Sequence, residues 1–276
     1  MNYLVLGSAG QIGAALTQYL RSIGHTVHEF DIVNTPKEDL RISGNPLLAK
    51  RMAGSDFVFF LAFDVGGSTY LARYQQTFEF VSNNVKLMNA TFDALKKHHT
   101  PFLFASSQMS NMSYSSYGSL KAVGEFYTRI LGGILVKFWN VYGVENDPEK
   151  THVITDFIAK ARDARLIDMK TDGTEERQFL YSVDCSEALH ALSGRYAEIP
   201  RDRELHVTNF EWSTVLQVAG LVAEHFPGTR ISPAKAADTV QKNKRNEPDP
   251  YILGYWKPKT SLKQGIAELV RHYTKI

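Results

Sequence analysis

Three glycines in the run Gly7-Ser8-Ala9-Gly10-Gln11-Ile12-Gly13 follow directly on the apolar residues 3–6. A turn of this spacing narrows the folds open to the chain more than any other feature. The first glycine permits a tight strand-to-helix turn, the second lets backbone approach a pyrophosphate, and the third lets the helix pack on the strand. The helix that opens there, with Gln11 and Ile12 in its first turn, points N–H groups and the positive end of its dipole at the phosphates. Glycine spacing alone also fits a purely structural turn, so context decides. A strand precedes the turn, residues 11–22 read as a helix, and a second strand at residues 26–30 ends in an acid, Asp31. Asp31 falls near the distance of about 20 residues expected of a ribose ligand. The sequence therefore predicts a dinucleotide site, and an acid holding the ribose hydroxyls predicts NAD in place of NADP.

Short apolar runs at residues 3–6, 26–30, 57–62, 102–105 and 134–138 alternate with helical patterns at 11–22, 81–97 and 117–131. Near-continuous apolar strands belong to a parallel sheet covered on both faces. The predicted class is α/β, a Rossmann-type doubly wound parallel sheet. After Gly143 the texture changes: residues 145–152 are polar and turn-like, 156–165 look helical, and a loop lies at 171–173. A strand at 204–207, a helix at 215–226 and a proline-containing coil at 246–250 follow. The expected organisation is a cofactor domain of residues 1–145 joined by 180–208, with an interleaved substrate region of 146–179 and 209–276.

At 276 residues and 43% hydrophobic, the chain can bury such a core. Its net charge of +2, with both signs mixed throughout, argues against a nucleic-acid partner. Cys185 is the only cysteine, which excludes an intrachain disulfide and a thiolate-rich metal site. No His, Asp and Glu cluster has metal-ligand spacing either, so no metal is expected. The apolar start leads straight into the glycine turn, unlike a leader peptide, and residues 57–63 are too short to span a bilayer. A cytoplasmic enzyme without membrane contact is the expectation.

Tyr117 and Lys121 sit four apart at the start of a predicted helix and share one face. An ammonium beside a phenol favours the phenolate and is expected to lower a pKa ordinarily near 10. Such a tyrosine can take a hydroxyl proton while hydride leaves the same carbon for a nicotinamide, whose ribose the lysine can hold. Tyr255 and Lys259 share the spacing, but Pro258 breaks that pair. The first pair follows an apolar strand ending in Ser106-Ser107, and a serine there can donate to the reacting oxygen, completing a Ser/Tyr/Lys set.

At this point the chain resembles the extended short-chain dehydrogenase/reductases, in particular the NAD-dependent nucleotide-sugar epimerases and dehydratases. The resemblance includes Gly7–Gly13, Asp39-Leu40, Leu61-Ala62, Asn84 and Asn89, Ser106-Ser107, and Tyr117-Gly118-Ser119-Leu120-Lys121. It continues through Phe138-Trp139-Asn140-Val141-Tyr142-Gly143, residues 172–179 and the tail at 253–262, and so covers nearly the whole chain. It implies that Asp39 and Leu40 lie against adenine, with Leu61, Ala62 and Ser106 also on the cofactor side. It further implies that Asn140, Arg177 and Arg245 hold a nucleotide diphosphate, as guanidinium forks suit its oxygens. Gly66 and Gly67 resemble a glycine pair of enzymes acting on GDP-sugars, where small residues leave room for the sugar. A homodimer pairing the helices at 81–97 and 117–131 is also implied.

One part of the family pattern is not met. Where dehydratases carry an Asp-Glu pair after the hydroxyl residue, this chain has Gln108 and Met109, neither of which titrates usefully. Chemistry reduces to hydride transfer with Tyr117 as acid and base, unless an acid arrives from elsewhere. His152, in the loop on the substrate side, has no assigned role. The leading expectation is a nucleotide-sugar 4-epimerase. The alternatives are a nucleotide-4-ketosugar reductase or nucleotide-sugar dehydrogenase, and a non-catalytic nucleotide sensor.

Overall fold

Every residue of the strand at 57–60 and of the strand at 102–107 is buried, as both faces of a covered sheet require. The computed structural model describes residues 1–240 and 246–274. The first part runs β1 (Asn2–Leu6), α1 (Gln11–Ser22), β2 (Thr26–Phe30), α2 (Pro46–Ala53), β3 (Phe57–Phe60) and α3 (Ser68–Tyr74). It continues through α4 (Phe78–His98), β4 (Phe102–Ser107), α5 (Ser116–Ile130) and β5 (Ile134–Phe138). Then come β6 (Asn140–Tyr142), α6 (Val153–Ala164), β7 (Leu166–Asp168), β8 (Glu176–Arg177), β9 (Phe179–Tyr181) and α7 (Ser182–Gly194). The chain closes with β10 (Glu204–Val207), β11 (Ser213–Thr214), α8 (Val215–Ala223), β12 (Arg230–Ser232) and α9 (Leu262–Thr274).

Six strands form one parallel sheet in the order β10-β5-β4-β3-β1-β2. Side chains alternate along each strand, so Tyr3 and Val5 enter one core while Leu4 and Leu6 enter the other. The first core lies under α1 and α7, and the second under α2, α4 and α5. A third core, built by α6, α8 and α9, stands apart from the sheet. Connections from β1 lead to β2 on one side, and β3 pairs on the other, which puts the crevice for a ligand at the carboxyl ends of β1 and β3.

Several helices differ from the pattern read in sequence. Helices α2, α3, α7 and α9 are additional, and α4 starts earlier than position 81, at Phe78, because the Thr77 hydroxyl caps it from Phe80 N–H at 3.3 Å. Ile252 and Trp256 pack into the sheet core although they lie in the stretch assigned to the substrate region. Just after them, the Asp184 carboxylate near the start of α7 accepts Lys259 and Thr260 N–H at 2.7 and 2.8 Å, anchoring the lead into α9. Among the described residues, no helix is long and apolar enough to cross a membrane.

Candidate active site

A cleft of about 1160 Å³ opens at the crevice between β1 and β3, and the glycine turn forms one end of it. Gly7 has φ +86°, and a Cβ there would lie 2.7 Å from the Ala62 backbone nitrogen. Gly10 caps α1 without any side-chain hydrogen bond, and no acid stands in the first turn, so that turn's N–H groups face outward for an anion. A Cβ on Gly13 would collide with the Gly7 carbonyl oxygen, which is how closely α1 sits on β1. Asp31 lies at the rim, where its carboxylate accepts N–H from Ala9 at 3.0 Å and from Val33 at 2.9 Å. Leu61, Ala62, Asp39 and Leu40 line the same cleft. Arg41 grips the Asp39 carboxylate through Nε at 2.9 Å, and this bond holds that carboxyl below its ordinary range. An uncapped helix start, a glycine cradle and a rim carboxylate fit a dinucleotide.

Three residues of this group have side chains committed elsewhere. The Gln11 amide, oriented to satisfy both its ends, donates to the Val141 carbonyl at 3.2 Å and accepts Gly143 N–H at 2.9 Å. It ties the glycine turn to the strand beyond β5, while Ile12 packs against the core. Ser106 donates its hydroxyl hydrogen to Glu125 at 2.6 Å and is 1% exposed, so that hydrogen is not available to a cofactor.

Ser107, Tyr117 and Lys121 meet in the middle of the cleft. Ser107 lies near enough to Tyr117 to oppose the rise of its pKa, and its oxygen accepts Met109 N–H at 3.2 Å. Lys121 donates to the Ala105 carbonyl at 2.6 Å and lies 3.8 Å above the Phe63 ring. The phenol is not lowered as the sequence suggested. Burial pushes Tyr117 up to about 12, against a smaller opposing pull from Ser107. The reason is geometric: the ammonium rests on Phe63 and Ala105, 5.8 Å from the Tyr117 ring centre, and is itself desolvated. Burial draws Lys121 down to about 7, with Glu125 holding it up.

This burial has a testable consequence. Between about 7 and the ordinary 10.5 the unfolded chain binds more protons at Lys121, so wild-type stability rises with pH across that window. Lys121→Met removes the cost of burying an ammonium that is 3% exposed. The variant is expected to be more stable than wild type at neutral and lower pH, with the gap closing as pH rises. Thermal melts across pH check this, and a variant melting lower at neutral pH would refute it.

Gln108 and Met109 line the cleft but bring no titratable group to it. The Ser107 hydroxyl caps the short turn Gln108–Asn111, the Gln108 side chain accepts from Asn246 at 2.7 Å, and Met109 is 4% exposed in the second core.

On the substrate side, Asn140 lines the cleft and donates its amide to the Gln178 carbonyl at 3.3 Å. Arg177 also lines it, in an ion pair with Asp238, both side chains about nine-tenths covered. Arg245 lies outside the described residues. Gly66 and Gly67 line the cleft, and the space a side chain on either would take is filled by the protein itself. A Cβ on Gly66 would lie 2.8 Å from Tyr70 Cβ and 3.0 Å from Lys150 Cα, and one on Gly67 would strike the Thr151 carbonyl. Their missing side chains admit the backbone of residues 150–152, sealed by Gly67 N–H to the Lys150 carbonyl at 3.1 Å.

That packing brings in groups that sequence reasoning left unassigned. Asp64 accepts from Tyr70 Oη at 2.7 Å and from Lys150 Nζ at 3.3 Å. His152 Nδ1 stands 2.5 Å from Glu145 Oε1, and both line the cleft. Spacing gave no sign of the Asp64 cluster, because a loop after β3 and the stretch before α6 supply it. Glu125 carried a signal, being four residues after Lys121 on the same helical face.

Comparison with known proteins agrees with this geometry. The model of the NAD dependent epimerase/dehydratase family matches residues 3–207. A GDP-L-fucose synthase of Sinorhizobium fredii is 29% identical over 138 residues, 47% of this chain and 43% of that protein, so the chain spans less than half of it there. A probable GDP-L-fucose synthase of Oryza sativa is 24% identical over 98% of this chain and 91% of that one. In fold, the chain is similar to an epimerase of Methanothermobacter thermautotrophicus, with TM-score 0.84, 18% identity, and 99% and 92% of the two chains covered. It is likewise similar to the UDP-glucose 4-epimerase of Thermotoga maritima, with TM-score 0.79, 20% identity, and 100% and 99% covered. With three-quarters of its length matched by that family model, the chain belongs to the NAD dependent epimerase/dehydratase family, with NAD as its cofactor.

Proposed function

We propose that this protein is a nucleotide-sugar 4-epimerase that works by reversible hydride transfer. The observation that carries the reading is the convergence of Ser107, Tyr117 and Lys121 in the cleft, while the neighbouring positions 108 and 109 hold a neutral amide and a buried thioether. NAD, when bound, accepts hydride from the sugar carbon and returns it. Tyr117 takes the proton of the 4-hydroxyl and gives it back to the same oxygen after the sugar has presented its other face. Ser107 donates to that oxygen, and Lys121 holds the nicotinamide ribose. Asp31 takes the adenosine ribose hydroxyls. Asn140, Arg177 and Arg245 hold the diphosphate, and the GDP-L-fucose synthase relatives favour a GDP-sugar. In this reading residues 1–145 with 180–208 serve the cofactor, and most of 146–179 and 209–276 serves the sugar nucleotide. Phe78 and Val85 on α4, with Phe126 and Ile130 on α5, leave exposed apolar surface that suits pairing with a second copy.

A second reading, a nucleotide-4-ketosugar reductase, is favoured by the His152–Glu145 pair. A carboxylate-held imidazole in the cleft can move protons at carbons beside a ketone, a step that a simple 4-epimerase does not need and that a substrate already carrying the 4-ketone permits. Incubation with a panel of GDP-, UDP- and dTDP-sugars and their 4-keto forms separates the two. The 4-epimerase gives a product of unchanged mass with inverted C4 and no net NADH change. Consumption of NADH with a 4-ketosugar supports the reductase instead, and a product lighter by one water overturns both.

A further inference from the structure

We propose that Glu125 is a positioning residue of this site, setting a buried negative charge one helical turn from Lys121 and fixing the end of β4 that carries Ser107. Glu125 follows Lys121 by one helical turn on α5 and is 6% exposed. Buried carboxylates are costly unless paired and hydrogen-bonded, and this one is held on every side. It accepts the Ser106 hydroxyl at 2.6 Å, next to Ala105, whose carbonyl receives Lys121. Lys137 on β5 approaches at 3.5 Å and Arg129 on α5 at 3.8 Å. Both cations are balanced by Glu204 on β10, at 2.8 Å from Lys137 and 2.7 Å from Arg129, with His206 3.6 Å from the same carboxylate.

The arrangement gives Lys121 an asymmetric surrounding. Its immediate neighbours are uncharged: the Ala105 carbonyl on β4, the Phe63 and Phe104 rings, and the Tyr117 phenol. Glu125 is the charge that acts on it, and its effect favours the ammonium against burial. The balancing cations Lys137 and Arg129 are clamped in turn by Glu204. Ser106 completes the device, because the bond that fixes Glu125 also anchors the strand between Ala105 and Ser107.

The inference rests on the reading that Lys121 serves the cofactor, and NADH binding tests it without a known sugar substrate. The affinity of the wild-type protein for NADH is measured across the neutral range, alongside Lys121→Met, Glu125→Gln and Glu204→Gln. Wild type is expected to lose affinity as pH rises through the Lys121 transition, and Lys121→Met to show no such step. Glu125→Gln keeps an oxygen for Ser106 but removes the charge, so its step should move about one pH unit towards acid. Glu204→Gln removes the same charge farther away and should move it much less. Equal loss of affinity at every pH in Glu125→Gln, with the midpoint in place, would mean a merely structural acid and would overturn the proposal alone. A wild-type profile with no step that Lys121→Met removes would overturn the cofactor role of Lys121 together with it.

Discussion

Tyr117→Phe is expected to lower turnover by about 10²–10⁴-fold while leaving the fold and NAD affinity close to wild type. The phenol ring fills a defined place, edge-on to Phe63 at 5.6 Å between centres, and phenylalanine fills the same space. What disappears is the oxygen on which Ser107 acts and which alone of the three side chains is set to exchange a proton with the sugar hydroxyl. Turnover with an identified sugar nucleotide, read beside an NADH titration of the same variant, separates chemistry from binding. Near-normal turnover would remove Tyr117 from the reaction.

Gly13→Ala should be nearly as damaging by a different route. The added carbon would fall onto the Gly7 carbonyl oxygen, 2.8 Å from the Gly7 carbonyl carbon and 2.9 Å from Ser8 Cα. All three are backbone atoms, so no side chain can swing aside, and α1 must lift from the sheet. Overpacking of this kind costs about 1–3 kcal/mol. It also moves the helix start that faces the pyrophosphate, so NAD affinity should fall further than the melting temperature alone suggests. Calorimetric melts and an NAD titration measure the two effects. A variant that matches wild type in both would show that α1 does not rest on Gly7.

The glycine turn and the apolar strands were legible because each is set by local chemistry. β1, β2 and β5 stand close to where their apolar runs placed them, and α5 begins one residue before Tyr117. Less was legible where distant backbone decides. Nothing local in Val65-Gly66-Gly67 tells whether the space beside a glycine takes ligand or chain, and here the stretch at 150–152 fills it. The effect of Lys121 on Tyr117 also depended on direction as well as spacing, since Ala105 and Phe63 draw the ammonium aside. Helix α7 was missed because it is buried along much of its length, with Ser182, Asp184, Cys185 and Ser186 all inside, and so lacks a polar face to betray its period.

The Arg177–Asp238 pair gives the cleft a property of its own. The guanidinium was stripped of water when the chain folded, and a carboxylate already neutralises it. An anion that reaches Arg177 meets a guanidinium with a carboxylate already on one edge, so it either shares the remaining N–H groups or displaces Asp238. Either route rewards shape and the number of oxygens presented more than charge itself. A simple phosphate gains little over the resident aspartate, whereas a diphosphate long enough to reach further donors in the cleft gains by every extra contact. In the proposed reading, discrimination at this end of the cleft depends on what a ligand's oxygens offer Arg177 beyond its resident aspartate.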